Sequence, residues 1–314
     1  MSLFAHYRSL LLRLPAALFC VLMLSALPAA GQSAGEDPFS LMRGTQEPGV
    51  KRTVAFEARL TKDGAVMREG LTWRVFKSVP DSNGRLELVA SAEGGSKAIE
   101  LPAGEYFVNC AFGRASTTRK ISVPRTGEDK VDVSLVLEAG GLVLNATLGD
   151  HSRADPDLLR FTIYEDRGEK RELVIENVKP ETILRLRAGT YEVISYYGDL
   201  NAEAHARLKV RAGEITEATL KQHAATVTLT LAAEKGGEAL ADTLWTVLGA
   251  SGDVLTESRS AFPSMILAEG EYTAIARNKD TVYEKNFTVA PGQSTQVELL
   301  LDEDKADLPD ESVD

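Results

Sequence analysis

The chain has 314 residues, 44% of them hydrophobic and 26% charged, with a formal net charge of −11 at pH 7. That is ordinary globular material, enough for two or three cores, and its negative field excludes nucleic acid and an anionic membrane surface as natural partners. Of its two cysteines, Cys20 falls in an N-terminal leader and Cys110 is then alone, which excludes a disulfide-stapled scaffold.

Residues 1–31 read as a signal peptide, expected to be helical. Arg8 and Arg13 precede an apolar run from Leu14 to Leu27, and Ala29-Ala30-Gly31 supply the small residues of a cleavage site. The run is shorter than the roughly 20 residues of a spanning helix, so a retained anchor is the lesser alternative, and membrane contact depends on it. Leu18-Phe19 before Cys20 are too large for a lipidation site. Cleavage after Gly31 removes two arginines and no acid, taking the charge from −11 to −13. Residues 32–51, rich in Gly, Pro, Ser and Gln, read as a flexible leader.

Alternation begins at Val54. Val54, Phe56, Ala58 and Leu60 share one face of a strand that ends at the turn Lys62-Asp63-Gly64. A second strand carries Leu71-x-Trp73-x-Val75, which returns as Leu159-x-Phe161-x-Ile163 and as Thr243-x-Trp245-x-Val247. This spacing predicts Trp73, Phe161 and Trp245 as inward core aromatics. Pro80 to Gly84 form a turn cluster whose Asn-Gly pair favours positive φ.

A short phrase then occurs three times: Leu101-Pro102-Ala103-Gly104-Glu105-Tyr106, Leu186-Arg187-Ala188-Gly189-Thr190-Tyr191 and Leu267-Ala268-Glu269-Gly270-Glu271-Tyr272. Its glycines are 85 and 81 residues apart, a domain-sized period. The leucine closes one apolar run. Gly104, Gly189 and Gly270 are expected in turn conformations costly for other residues, and Tyr106, Tyr191 and Tyr272 open the next strand. Cys110, in phase with Tyr106 and Val108, is expected to be a buried, inert thiol. Further strands end at Val123, Val210 and Val289, turn glycines follow at Gly127, Gly213 and Gly292, and an apolar run closes each unit.

Seven short strands per roughly 80 residues is an immunoglobulin-like count. The expected fold is all-β: three tandem immunoglobulin/prealbumin-like antiparallel β-sandwiches over residues 52–138, 139–222 and 223–301. Residues 302–314, with seven acids and one lysine, are expected as a disordered tail. Glu138–Gly141 and Lys221–Thr226 are read as short linkers giving an elongated, partly rigid rod, with any bend at Gly140-Gly141.

The order strand, Leu-x-x-Gly-x-Tyr, strand, Val, turn Gly and closing strand resembles the prealbumin-like, carboxypeptidase-regulatory-like β-sandwich modules, and more loosely the PEGA and Cna B-type families. The resemblance covers about residues 52 to 301 and implies stalks, spacers or ligand-presenting domains. Cna B-type modules often carry an internal Lys–Asn bond promoted by a Glu a few residues past the phrase. The matching stretches Phe107–Cys110, Glu192–Ser195 and Thr273–Ala276 have no regularly placed acid, so that bond is not expected.

Catalytic chemistry is sparse. His151, His205 and His223 have no second His or Cys at metal-ligand spacing, and no nucleophile elbow, phosphate loop or His-Glu-x-x-His motif occurs. Asp150, Asp155 and Asp157 lack the order of a calcium loop, with Pro156 between them. No catalytic residue, cofactor or metal site is expected. The sequence points to an exported, non-enzymatic structural or interaction scaffold, periplasmic or envelope-associated and otherwise secreted, whose partner is a protein or an envelope polymer. The alternative is a small-ligand or glycan-binding protein that uses the loops before the Gly-x-Tyr strands, where Phe262 is the clearest exposed ring.

Overall fold

The computed structural model describes residues 50–149, 152–168 and 170–306. The signal peptide, most of the leader, Asp150, His151 and the tail from residue 307 lie outside the described residues.

The first module has seven strands: β1 (Lys51–Arg59), β2 (Leu71–Lys77), β3 (Leu88–Gly94), β4 (Lys97–Pro102), β5 (Gly104–Phe112), β6 (Ala115–Val123) and β7 (Lys130–Val136). The second has β8 (Ala139–Leu148), a short β9 (Ser152–Arg153), β10 (Leu159–Asp166), β11 (Arg171–Val178), β12 (Leu184–Arg187), β13 (Gly189–Tyr197), β14 (Glu203–Val210) and β15 (Ile215–Gln222). The third has β16 (Ala224–Ala232), β17 (Thr243–Gly249), β18 (Val254–Ser258), β19 (Ser264–Ala268), β20 (Gly270–Asn278), β21 (Thr281–Val289) and β22 (Thr295–Leu300). No helix occurs among the described residues.

Each module pairs a four-stranded antiparallel sheet (β3-β2-β5-β6, β11-β10-β13-β14, β18-β17-β20-β21) with a second sheet built on three strands (β4-β1-β7, β12-β8-β15, β19-β16-β22), to which the second module adds the short β9 beside β8. In these second sheets the first strand pairs antiparallel with the fourth main strand but parallel with the last, as in Val54↔Val131, Leu142↔Thr216 and Leu229↔Val297. The period-2 alternation read from Val54 places Val54, Phe56 and Ala58 at 0% exposure, because the faces of the two sheets can bury only every second residue. Trp73, Phe161 and Trp245 sit at 0%, 0% and 1% exposure, and the Phe56 and Trp73 rings lie 5.3 Å apart. Gly84 has φ 74° in the Asp81–Arg85 turn.

Four expectations change. Gly104 and Gly189 lie outside the left-handed region, so a turn conformation is not what those two glycines supply, whereas Gly270, at φ 157°, keeps a backbone conformation that other residues rarely adopt. Gly140 and Gly141 are not a linker: both are buried inside β8. The first junction is only Leu137-Glu138, with Glu138 at φ 47°, and the second is His223 alone. Residues 302–306 are not a solvated tail, for Asp304 turns the chain back onto β21. Its backbone oxygen accepts from Glu284 N (2.8 Å), while its carboxylate accepts from Leu300 N (2.7 Å) and Lys285 Nζ (3.1 Å).

Candidate functional site

The thrice-repeated phrase is where the chain crosses between sheets. Leu101, Leu186 and Leu267 pair with the first strand of their module, at Arg52, Gly140 and Ala225. Three residues later Gly104, Gly189 and Gly270 pair in the other sheet, with Val123, Val210 and Val289. The tyrosine two residues on folds its ring back across the glycine and donates its hydroxyl to the carbonyl four residues before it. The bonds are Tyr106–Pro102 2.8 Å, Tyr191–Arg187 2.7 Å and Tyr272–Ala268 2.8 Å. A β-carbon on the glycine would stand 3.5 to 3.7 Å from the nearest ring atom, so larger side chains would enter the ring's place. Burial holds the Tyr191 hydroxyl up at about 12 and raises that of Tyr106, an effect Lys77 partly offsets, so both remain neutral donors.

The residue between the sheets is also tied to the chain entering the module. Ala103 N donates to Val50 O (3.1 Å), Ala188 N to Glu138 O (2.6 Å) and Glu269 N to His223 O (2.7 Å). At the second and third modules these acceptors are the junction residues themselves. The corner therefore fixes where each module begins relative to the one before it.

Two further contacts recur at both junctions. The hairpin between the two strands after the glycine reaches forward: Arg114 N donates to Arg185 O (2.9 Å) on β12, and the Arg185 guanidinium lies 4.8 Å from the Phe112 ring centroid. In the next module pair the hairpin tip at Gly198 packs against Ile266 of β19. There Asn201 bridges, donating to Tyr272 Oη (2.9 Å) and accepting from Ala268 N (3.0 Å). The end of the first strand makes the second contact. Thr61 touches the turn at Gly213, and Gly149 meets the turn at Pro291-Gly292. Those turns are pinned to the next first strand by Gly213 N to Ala139 O (2.8 Å) and Gly292 N to Ala224 O (2.9 Å).

The cores interlock across these joints. Ala139 belongs to the apolar cluster of the first module, and Ala224 and Ile266 belong to that of the second. Gln222, 0% exposed, donates from Nε2 to Ser195 O (3.0 Å) and Oγ (2.6 Å) just beneath the second joint. In the first module the corresponding turn is held by Arg52, 5% exposed, which donates to Pro124 O, Arg125 O, Gly127 O and Glu128 O and pairs with Asp129.

Among the described residues no three His, Cys, Asp or Glu side chains converge to hold a metal ion. Asp155 spends its Oδ1 on Asp157 N (2.9 Å), and His205 lies between Glu192 and Glu203 on an exposed strand face. His223 pairs with Glu269 at 2.8 Å. Cys110 is fully buried, which pushes its thiol up to about 12. Phe262 is 57% exposed on the β18–β19 loop. The clefts are shallow and open, one of about 410 Å³ beside Gly249, Tyr272 and Phe287, another of about 180 Å³ beside Arg114, Arg187 and Tyr191.

Among the described residues the joint thus recurs at both junctions, with corner, hairpin, strand end and turn in the same places. Residues 226–301 match the Rhizobiales growth-associated tandem repeat domain. The match coincides with the third module. No curated protein matches the chain. Among solved structures the chain is similar to the Bacillus anthracis TIE protein, at 16% identity and a TM-score of 0.26, over 82% of this chain and 51% of that one. It is also similar to a streptococcal ancillary pilin, at 12% identity and TM-score 0.29 over 80% and 99% of the two chains. GBS52, the minor pilin of Streptococcus agalactiae, gives 11% identity and TM-score 0.30 over 55% and 95%.

Arg52, Asn201 and Gln222 were not among the residues singled out from the sequence. Two of them carried a signal: Arg52 is in phase with Val54 and Phe56, and Gln222 is in phase with Leu220, so each is a polar residue at an inward position. Asn201 lies in a hairpin loop with no periodicity to reveal it.

Proposed function

We propose that the chain is an exported, non-enzymatic structural scaffold whose three sandwiches, divided at 138/139 and 222/223, hold a protein or envelope-polymer partner at fixed spacing. The observation that carries this is the joint. Both junctions use the same corner hydrogen bond, the same hairpin-to-strand contact and the same strand-end-to-turn contact, with core residues shared across them. A flexible tether needs none of these, and an enzyme would place its constructed geometry around a reacting group. The leader 1–31 supplies the export signal, giving a periplasmic or envelope-associated location.

Spin labels at Ser91→Cys in the first module and Ser251→Cys in the third test it, both positions being exposed. Buried Cys110 stays unlabelled. Pulsed dipolar spectroscopy is expected to give one narrow distance distribution that survives moderate salt. A broad distribution in the wild-type background would mean that the modules swing independently, and the spacer reading would fall.

A further inference from the structure

The first joint carries three arginines that joint-making does not require. Aligned on the repeated phrase, Arg185 and Arg187 of β12 correspond to Glu100 and Pro102 in the first module and to Ile266 and Ala268 in the third. Arg114, at the tip of the β5–β6 hairpin, corresponds to Asp199 and Asp280 at the other two tips. The second joint closes with the same corner, hairpin and turn contacts and has no arginine in any of these places.

These cations are exposed and poorly matched by acids, in a chain whose overall charge is −11. Arg114 and Arg185 make no ion pair among the described residues: Arg114 is tied through its backbone N to Arg185 O (2.9 Å), and the Arg185 guanidinium lies over the Phe112 ring. Arg187 has Glu138 at 3.9 Å, with both side chains more than half exposed. Arg167 and Glu165, which share with Arg114 and Arg187 a cleft of about 180 Å³, are already joined to each other at 2.6 and 2.9 Å.

The spacing of the row fixes the chemistry that complements it. Leu184 and Leu186 face the core, so Arg185 and Arg187 stand together on the outer face of β12, and Ile183, 53% exposed just ahead of the strand, continues their row. Its members are about 6.6 Å apart, two strand steps of about 3.3 Å. An extended polypeptide presents alternate side chains at that same repeat, and a guanidinium fork takes a carboxylate through two parallel hydrogen bonds. A segment reading apolar-x-acid-x-acid therefore meets Ile183, Arg185 and Arg187 in turn, with Arg114 beside the cleft for a further acid.

We propose that this row docks an extended acidic segment of a partner protein at the first joint. The proposal rests on the scaffold reading for the partner's being a protein, and it names that partner's chemistry. Single exposed pairs are weak, so the segment is held by several at once.

The test is fluorescence anisotropy of a labelled peptide, Leu-Ser-Glu-Ser-Glu-Ser-Glu, titrated with full-length protein at low salt. The expected result is saturable binding that weakens about ten-fold or more in Arg185→Gln/Arg187→Gln, several-fold in Arg114→Gln and several-fold at raised salt. It should be unchanged in Arg259→Gln/Arg277→Gln, which removes exposed cations of the third module. A peptide of the same composition with its glutamates adjacent should bind several-fold more weakly. Arg187→Glu should prefer a peptide with lysine in place of the last glutamate, a gain that an unfolded variant would not show. Absence of saturable binding, equal binding of the two glutamate peptides, an unaltered affinity in Arg185→Gln/Arg187→Gln, or tighter binding of oligogalacturonate, a carboxylated glycan, would each overturn the proposal. Peptide affinity is read apart from the distance between modules, so this inference and the scaffold reading can fail separately.

Discussion

Replacing Gly140 by alanine separates two opposite accounts of the first junction by the sign of one measurement. If Gly140-Gly141 were a hinge, alanine would narrow the unfolded ensemble and stabilise the protein by about 0.4–1 kcal/mol. In the structure a β-carbon on Gly140 would stand 2.1 Å from Arg211 O and 2.9 Å from Glu214 O, both backbone atoms of the β14–β15 turn. Neither can rotate aside, so the turn itself must lift by more than an ångström. Lifting it strains the Gly213 N to Ala139 O and Gly141 N to Glu214 O bonds, each 2.8 Å. Overpacking of this kind costs about 1–3 kcal/mol, and with hydrogen bonds disturbed the upper part of that range applies. For a unit of this size that lowers the melting midpoint by roughly 10 °C or more. Gly141→Ala is the matched control, since the tightest contact of its β-carbon would be Ile215 Cγ1 at 3.1 Å, on an exposed side chain that can shift, with the Ile215 backbone at an ordinary 3.6 Å. Thermal and urea unfolding of the two variants beside wild type make the comparison. A Gly140→Ala protein as stable as wild type, or more so, would refute the packing account and restore the hinge.

The two core tryptophans should respond differently to phenylalanine. Trp73 Nε1 donates to Gly95 O at 2.9 Å, whereas Trp245 Nε1 is buried with no partner, so Trp73→Phe strands a carbonyl and Trp245→Phe sheds an unsatisfied donor. Urea midpoints should show Trp73→Phe costing at least about 1 kcal/mol more, and equal costs would contradict the assignment. Alkaline stability is the other expectation. The Tyr191 hydroxyl titrates at about 12 when folded against 10.0 ordinarily, because burial disfavours the phenolate. The folded state therefore binds this proton more tightly. Its contribution is complete below pH 10 and is lost as the pH rises toward 12. Melting scans from pH 9 to 11.5 should show a fall that is shallower in Tyr191→Phe, and parallel curves would exclude Tyr191 as a source.

Much of the fold was legible because a sandwich imposes a strict period. Phe56, Trp73 and Leu101 each announce an inward face, and the Leu-x-x-Gly-x-Tyr spacing marks the change of sheet. What the spacing hid was the cause. Glycine there suggested a turn conformation, while the structure uses its missing side chain as room for a tyrosine ring returning to a carbonyl four residues back. The junctions were misjudged for a related reason. Gly-Gly and Gln-His-Ala-Ala look like linker composition, yet small residues are also what a strand needs where a turn of its own module crosses it closely, as the β14–β15 turn crosses Gly140. Contacts such as Asn201 to Tyr272 join residues 71 positions apart, and no local pattern encodes them.

The second junction also governs which changes of length the chain can accept. Leu220 and Ala224 pack into the cluster of the second module, with Gln222 buried between them, whereas Ala225, Val227, Leu229 and Leu231 pack into that of the third, so the inward phase steps by one residue at Ala224-Ala225. Adding or deleting one residue at His223 would break that step, turning either Ala224 out of the second cluster or Val227, Leu229 and Leu231 out of the third. Such a joint behaves like a reading frame. It tolerates the gain or loss of a whole repeat, with its corner and hairpin intact, far better than it tolerates a single inserted amino acid.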